Sequence, residues 1–120
     1  MDGTSPITFS GTAGGDYFVS VRHRNHLGVM TAAVPLSTTS PLIDFTESTT
    51  ATYGTNAQCD KNGVLTLWAG NAELDGAIDA NDRSKVWNNR NTAGYMSHDI
   101  NLDGTCNAVD RSKVWNNRNK

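Results

Sequence analysis

Oxygen-bearing side chains recur at alternate positions in two stretches of the C-terminal half. Counting Asp99 as position 1, Asp99, Asn101, Asp103, Asn107 and Asp110 fall at positions 1, 3, 5, 9 and 12. Thr105 at position 7 offers its backbone carbonyl, and Gly104 at position 6 suits a sharp turn with positive φ. A hard cation of the size of calcium takes about six to eight oxygens at roughly 2.3–2.6 Å, and a loop winding around the ion supplies them from alternate residues. An earlier stretch repeats the pattern with Asn71, Glu73, Asp75, Gly76, Ala77 (through its carbonyl), Asp79 and Asp82. Either stretch alone also reads as an Asx-rich turn without metal. Two in register favour a pair of Ca²⁺ sites. Asn71 at position 1 and the longer Glu73 at position 3 depart from the pattern and predict weaker binding in the first loop.

The loops belong to an internal repeat. Residues 71–91 align with 99–119 at an offset of 28 without gaps, and 14 of the 21 positions are identical, including all of 82–91 against 110–119. Two copies are too few for a solenoid, so a pair related by a pseudo-twofold axis is expected. Residues 64–68 before the first loop alternate like a strand, and 94–98 before the second are too short for a helix. After each loop, 82–91 and 110–119 read as short helices with Val86, Trp87, Val114 and Trp115 on the buried side. Residues 91–94 are a plausible stop for the first.

These loops have EF-hand spacing but lack the helix that would precede an EF-hand loop, and they carry Asp, not Glu, at position 12. Loop followed by helix, twice, resembles type I dockerin repeats. The closer resemblance is to the dockerin-like C-terminal regions of secreted Bacteroidota proteins, where Asp-Arg-Ser-x-x-Trp-Asn-Asn-Arg-Asn closes each half. Trp68, Gly70 and the stretch 17–32 resemble the same regions, so the likeness covers most of the chain. It implies two bound calcium ions, a secreted or cell-surface location, and a structural or docking role. Positions 10 and 11 are Ala80-Asn81 and Ala108-Val109 instead of a Ser-Thr pair. That departure weighs against strict cohesin binding.

The first half must position or complement this pair. Strand-like runs at 7–10, 17–24, 27–33 and 42–46 are separated by Gly14-Gly15, Pro35, Pro41 and clusters of Thr and Ser. The expected fold is therefore mixed: a small β-sheet domain, a partial β-sandwich, over 1–58, a connecting strand over 59–70, and tandem repeats over 71–120. Four short strands bury little apolar surface and need a partner, supplied by the 64–68 strand, the repeats or another chain. The turn between the best strands falls at 24–26. His23 and His26 there read as a polar hairpin end in preference to a metal or sugar site, since no acidic or cysteine partner lies at ligand spacing. Asp44 and Glu47 have nothing nearby to orient them as acid and base. No Gly-x-Ser-x-Gly elbow, phosphate loop or His-Glu-x-x-His motif occurs.

Composition closes off other classes. Among 120 residues with a net charge of -2, no stretch is strongly basic, so nucleic acid is not an expected partner. No run of about 18 apolar residues occurs, so membrane insertion is not expected. The start, Met1 to Pro6, lacks the basic flank and apolar core of a leader. Cys106 at loop position 8, where Ile78 stands in the first copy, and Cys59 before the connecting strand are expected to form a disulfide. The function expected is a non-enzymatic extracellular calcium-binding module, structural, adhesive or docking. Its partner would be another protein or another copy of itself. Alternatives are a strict cohesin-binding dockerin, a fibre or surface-layer subunit assembling by strand addition, and an accessory carbohydrate-binding piece of a secreted hydrolase.

Overall fold

Runs of three or four alternating residues, each cut short by Gly, Pro or Asx, give ladders of two strands and no wider sheet. The computed structural model describes residues 7–40 and 42–120. The opening segment read for a leader, and Pro41, read as a strand breaker, lie outside them. Six strands precede two helices: β1 (Gly15–Tyr17), β2 (Ser20–Val21), β3 (Val29–Met30), β4 (Val34–Leu36), β5 (Cys59–Lys61), β6 (Val64–Thr66), α1 (Ala80–Asn88) and α2 (Ala108–Asn116). β1 pairs antiparallel with β4, β2 with β3, and β5 with β6. The first four strands are thus the outer and inner parts of one hairpin. Between the parts, the buried Thr31 donates its amide to the Val19 carbonyl at 2.9 Å, and its Oγ1 accepts from the Val19 amide at 3.0 Å. β5 and β6 turn through Asn62 and Gly63, with φ of 57° and 86°. Asn-Gly is the dipeptide that a two-residue turn with both central φ positive demands.

This corrects the partial sandwich. Neither 7–10 nor 42–46 forms a strand, and Ile7, Phe9 and Leu42 stand 83%, 68% and 75% exposed. A sandwich needs two apolar faces to close on each other. Among the described residues before Cys59, Val29 is the single fully buried hydrophobic.

The core lies instead between the repeats. Ala72, Ile78 and Val86 from the first copy meet Ile100, Cys106 and Val114 from the second, each pair at the same repeat position. Leu27, Trp68, Ala69 and Met96 pack around them. Burial of each Ile and Val contributes about 1.5–3 kcal/mol. Gly70, at φ 135°, lets the chain pass this core, because a Cβ there would lie 3.0 Å from Ile78 Cγ2 and 3.4 Å from the Val114 backbone.

Both helices start two residues earlier than the sequence suggests, because loop position 9 acts as the cap. The Asp79 side chain accepts from the Asn81 amide, and the Asn107 side chain from the Val109 amide. Asp82 and Asp110 complete capping boxes by accepting from the cap residues' own amides. Beyond the helix ends, Asn91 and Asn119 adopt φ of 69° and 63°, conformations that Asn tolerates. Each then donates its amide to position 8 of the other repeat's loop: Asn91 to the Cys106 carbonyl at 2.8 Å, and Asn119 to the Ile78 carbonyl at 2.9 Å. That reciprocal exchange makes the two repeats one unit.

The Cys59–Cys106 disulfide is not formed; both cysteines are buried free thiols. Position 8 points into the interhelical core, where Cys106 Sγ lies 3.3 Å from the Val86 carbonyl. Burial, with the charges of Asp110 and Asp99 nearby, holds this thiol above its ordinary pKa. Cys59 sits on β5 beside a shallow groove lined by Trp68, Lys113 and Asn117. Among the described residues, no helix is long and apolar enough to cross a membrane.

Candidate metal centre

Each loop is held in shape by its own would-be ligands. In the second loop, Asp99 accepts from the amides of Asp103 at 3.2 Å and Gly104 at 3.0 Å. Asn101 accepts from the Asp103 amide at 3.1 Å, and Asp103 from the Thr105 amide and hydroxyl at 2.9 and 2.7 Å. In the first loop, Asn71 accepts from the Asp75 amide at 3.2 Å, and Asp75 from the Ala77 amide at 3.1 Å. Leu74 and Leu102 at position 4, and Gly76 and Gly104 at position 6, share positive φ of 65°, 64°, 90° and 88°. Two stretches with different ligand residues thus take one backbone path, because the oxygens at positions 1, 5 and 9 receive amides two to five residues ahead.

Position 12 anchors the loop to its helix. Asp110, fully buried, accepts from the amides of Ile100 at 2.8 Å, Asn101 at 3.0 Å and Asn107 at 2.8 Å. Asp82, also fully buried, accepts from Glu73 at 2.9 Å and Asp79 at 2.8 Å. Burial raises the Asp82 pKa above its ordinary value; the amides oppose the shift and the charge of Asp75 adds to it. Hydrogen bonds from Thr105 and Asn101 lower the pKa of the exposed Asp103. Cationic compensation is partial: Lys85 lies 3.5 Å from Glu73, and Arg24 lies 3.8 Å from Asp99.

The donor set suits a hard cation. Asp99, Asn101, Asp103, Thr105, Asn107 and Asp110 in one loop, and Asn71, Glu73, Asp75, Ala77, Asp79 and Asp82 in the other, offer carboxylate, amide or carbonyl oxygen throughout. Among the described residues, no three His, Cys, Asp or Glu side chains converge as a ligand group. The loop oxygens are turned onto their own backbone amides, and several positions are Asn or carbonyl.

How the first half is fastened to the loops was not legible in the residue pattern. Asn25, fully buried at the hairpin tip, accepts at its carbonyl from the Gly70 and Asn71 amides at 2.9 and 3.1 Å. Its side-chain amide donates to the Asp99 carbonyl. Beside it, Leu27 donates to the Trp68 carbonyl at 2.8 Å, and His26 bridges to Ala69. Arg24 lies 3.7 Å over the Tyr95 ring. Burial, then the charges of His23 and Arg24, lower the His26 pKa to about 4. One turn therefore touches the entry to both loops.

Trp87 and Trp115 are not core residues: they stand 42% and 47% exposed. Each ring is met by two guanidinium groups, one from just beyond the end of its own helix and one from the other helix. Arg90 and Arg111 lie 4.4 and 4.5 Å from Trp87, and Arg118 and Arg83 lie 4.0 and 4.8 Å from Trp115. Such exposed contacts contribute about 0.5–1 kcal/mol each. The exact repetition of Arg and Trp in both copies was the available signal, since a reciprocal contact needs the same pair twice. Acidic loops and basic helices give the repeats opposite ends of charge.

No family model matches the chain, and no curated protein and no solved structure matches it.

Proposed function

We propose that the chain is a non-enzymatic, extracellular, dockerin-like module that binds two Ca²⁺ ions and serves as a structural or docking element. The observation that carries this reading is the repetition of one loop path before two capped helices, with Asn91 and Asn119 beyond the helix ends each donating to the loop of the other repeat. Seven acidic side chains occupy loop ligand positions. Two calcium ions would change the formal charge from -2 to +2. Repulsion within the loops would be relieved, and binding free energy would become folding free energy.

Docking is favoured over a purely structural role by the exposed Arg and Trp face shared by the two helices, which is chemically suited to a partner. The partner is another protein or a second copy of this chain. Strict cohesin binding is disfavoured by Ala80-Asn81 and Ala108-Val109. The test is calorimetric titration of calcium, with thermal midpoints in EDTA and in millimolar calcium. Two equivalents bound and a higher midpoint are expected, with Asp103→Ala weakening the second loop more than Asn71→Ala weakens the first. Equal midpoints in the two buffers would refute calcium binding.

A further inference from the structure

Three polar atoms at the hairpin tip stand at the corners of a nearly equilateral triangle. His23 Nδ1 lies 2.8 Å from His26 Nδ1, and Asn25 Oδ1 lies 3.1 Å from the first and 2.7 Å from the second. The rings meet edge to face, with centroids 4.6 Å apart. Hydrogen bonding alone satisfies only part of this arrangement. Neutral imidazoles bring at most one proton each to Nδ1. If both carry it there, the two N–H groups face each other at 2.8 Å. If only one does, it cannot serve both neighbours well, and the remaining edge joins two acceptors.

A single cation removes the conflict. Donors bound at about 2.0–2.1 Å and at right angles to one another are about 2.8–3.0 Å apart. That is the edge length of one face of an octahedral or tetragonal coordination shell. Two imidazole nitrogens and one amide oxygen are a set suited to a first-row transition metal and poorly suited to calcium. We infer that His23 Nδ1, His26 Nδ1 and Asn25 Oδ1 form a facial binding site for a divalent transition-metal ion, with solvent completing its shell.

The surroundings fit an ion held at this point. His23 is exposed and His26 half-buried, so an ion can enter from solvent, while Asn25 is fixed on the buried side. Asn25 keeps its Oδ1 turned to the imidazoles because its Nδ2 donates to the Asp99 carbonyl. The neighbouring cation, Arg24, is drawn toward Asp99 at 3.8 Å and stacked on Tyr95. An ion here would clamp the hairpin tip, and Asn25 would pass that restraint to Gly70, Asn71 and Asp99. The site stands apart from the calcium loops in ligand type and shares no ligand with them.

The test uses the full chain without a polyhistidine tag, saturated with calcium and titrated with Ni²⁺ by calorimetry at neutral pH. One equivalent of Ni²⁺ is expected, with affinity falling more than about tenfold in His23→Gln and in His26→Gln. His98→Gln, which changes the one remaining histidine, is expected to bind as the parent does. His23 is exposed, so its replacement reads ligation without disturbing the junction, and circular dichroism confirms the fold of each variant. No Ni²⁺ binding by the parent chain, or the same affinity in His23→Gln, would overturn the inference. Failure of the loops to bind calcium would leave the response to the histidine variants unchanged, so the two readings fail separately.

Discussion

Replacing Asp82 by Ala and by Asn separates the two tasks of a carboxylate at loop position 12. The side chain is fully buried and accepts the Glu73 and Asp79 amides at 2.9 and 2.8 Å. A hydrogen bond to a charged acceptor contributes about 1.5–3 kcal/mol, so two such bonds amount to about 3–6 kcal/mol. Part is offset by desolvation of the charge, which is why the Asp82 pKa lies above its ordinary value. A folded-state pKa raised in this way makes the protonated carboxyl the better-tolerated form, and that contribution is lost as pH rises past it. At neutral pH without calcium, Asp82→Ala is therefore expected to cost about 2–4 kcal/mol, or roughly 8–16 °C in thermal midpoint for a chain of this length. Asp82→Asn removes the buried charge but keeps only one acceptor oxygen; because the two amides bond to different carboxylate oxygens, one of them then faces an NH2 group, and the expected cost in EDTA is about 1–2 kcal/mol, less than for Ala. If the loops bind calcium as proposed, millimolar calcium widens the gap: the parent gains, and both variants lack the contribution of the first loop. Differential scanning calorimetry in the two buffers reads all three chains. Equal losses for Ala and Asn in EDTA, or no loss for Ala, would refute the assignment of the carboxylate as backbone anchor.

Gly70→Ala places a Cβ 3.0 Å from Ile78 Cγ2 at a φ of 135° and is expected to cost about 2–3 kcal/mol in urea unfolding. Gly76→Ala, at φ 90° with open space around the new Cβ, is expected to cost only about 1 kcal/mol, and equal costs would contradict the close approach at Gly70. His26 has a folded-state pKa of about 4 against an ordinary 6.5, so the unfolded chain binds more protons between those values. Its contribution is complete above about pH 6.5 and is lost as pH falls toward 4; discounted for a half-exposed ring, it amounts to about 1–2 kcal/mol. Urea midpoints in EDTA at pH 7.5 and pH 5 should therefore differ less for His26→Gln than for the parent chain, and an unchanged difference would refute this.

What the sequence determined by itself was local. The ligand spacing, the turn glycines at 76 and 104 and the two helices are set by interactions spanning two to five residues, although the caps at 79 and 107 were read only as loop ligands. An Asx side chain and the amide just ahead of it meet whatever the rest of the chain does. The strand-like runs were legible as extended segments, but pattern alone could not say which would find partners, so 7–10 and 42–46 read like 17–24.

Tertiary structure decided the rest, because those choices depend on residues far apart in the chain. Asn25 reaches Asp99 across 74 positions, and no periodicity within the hairpin encodes that contact. The repeat predicts equivalence, yet Asn89 caps its own helix at the Lys85 carbonyl while its counterpart Asn117 donates to the Ala69 carbonyl, 48 positions away. The chain enters the first loop at Gly70, close to the Val114 backbone of α2. Trp87 and Trp115 lie at helix positions that an isolated helix could bury, but reciprocal pairing gives the interface to Val86 and Val114. The indoles are left to the arginines of the opposite repeat. Cys106 took the core position its repeat dictates, and with that the distant Cys59 lost its partner.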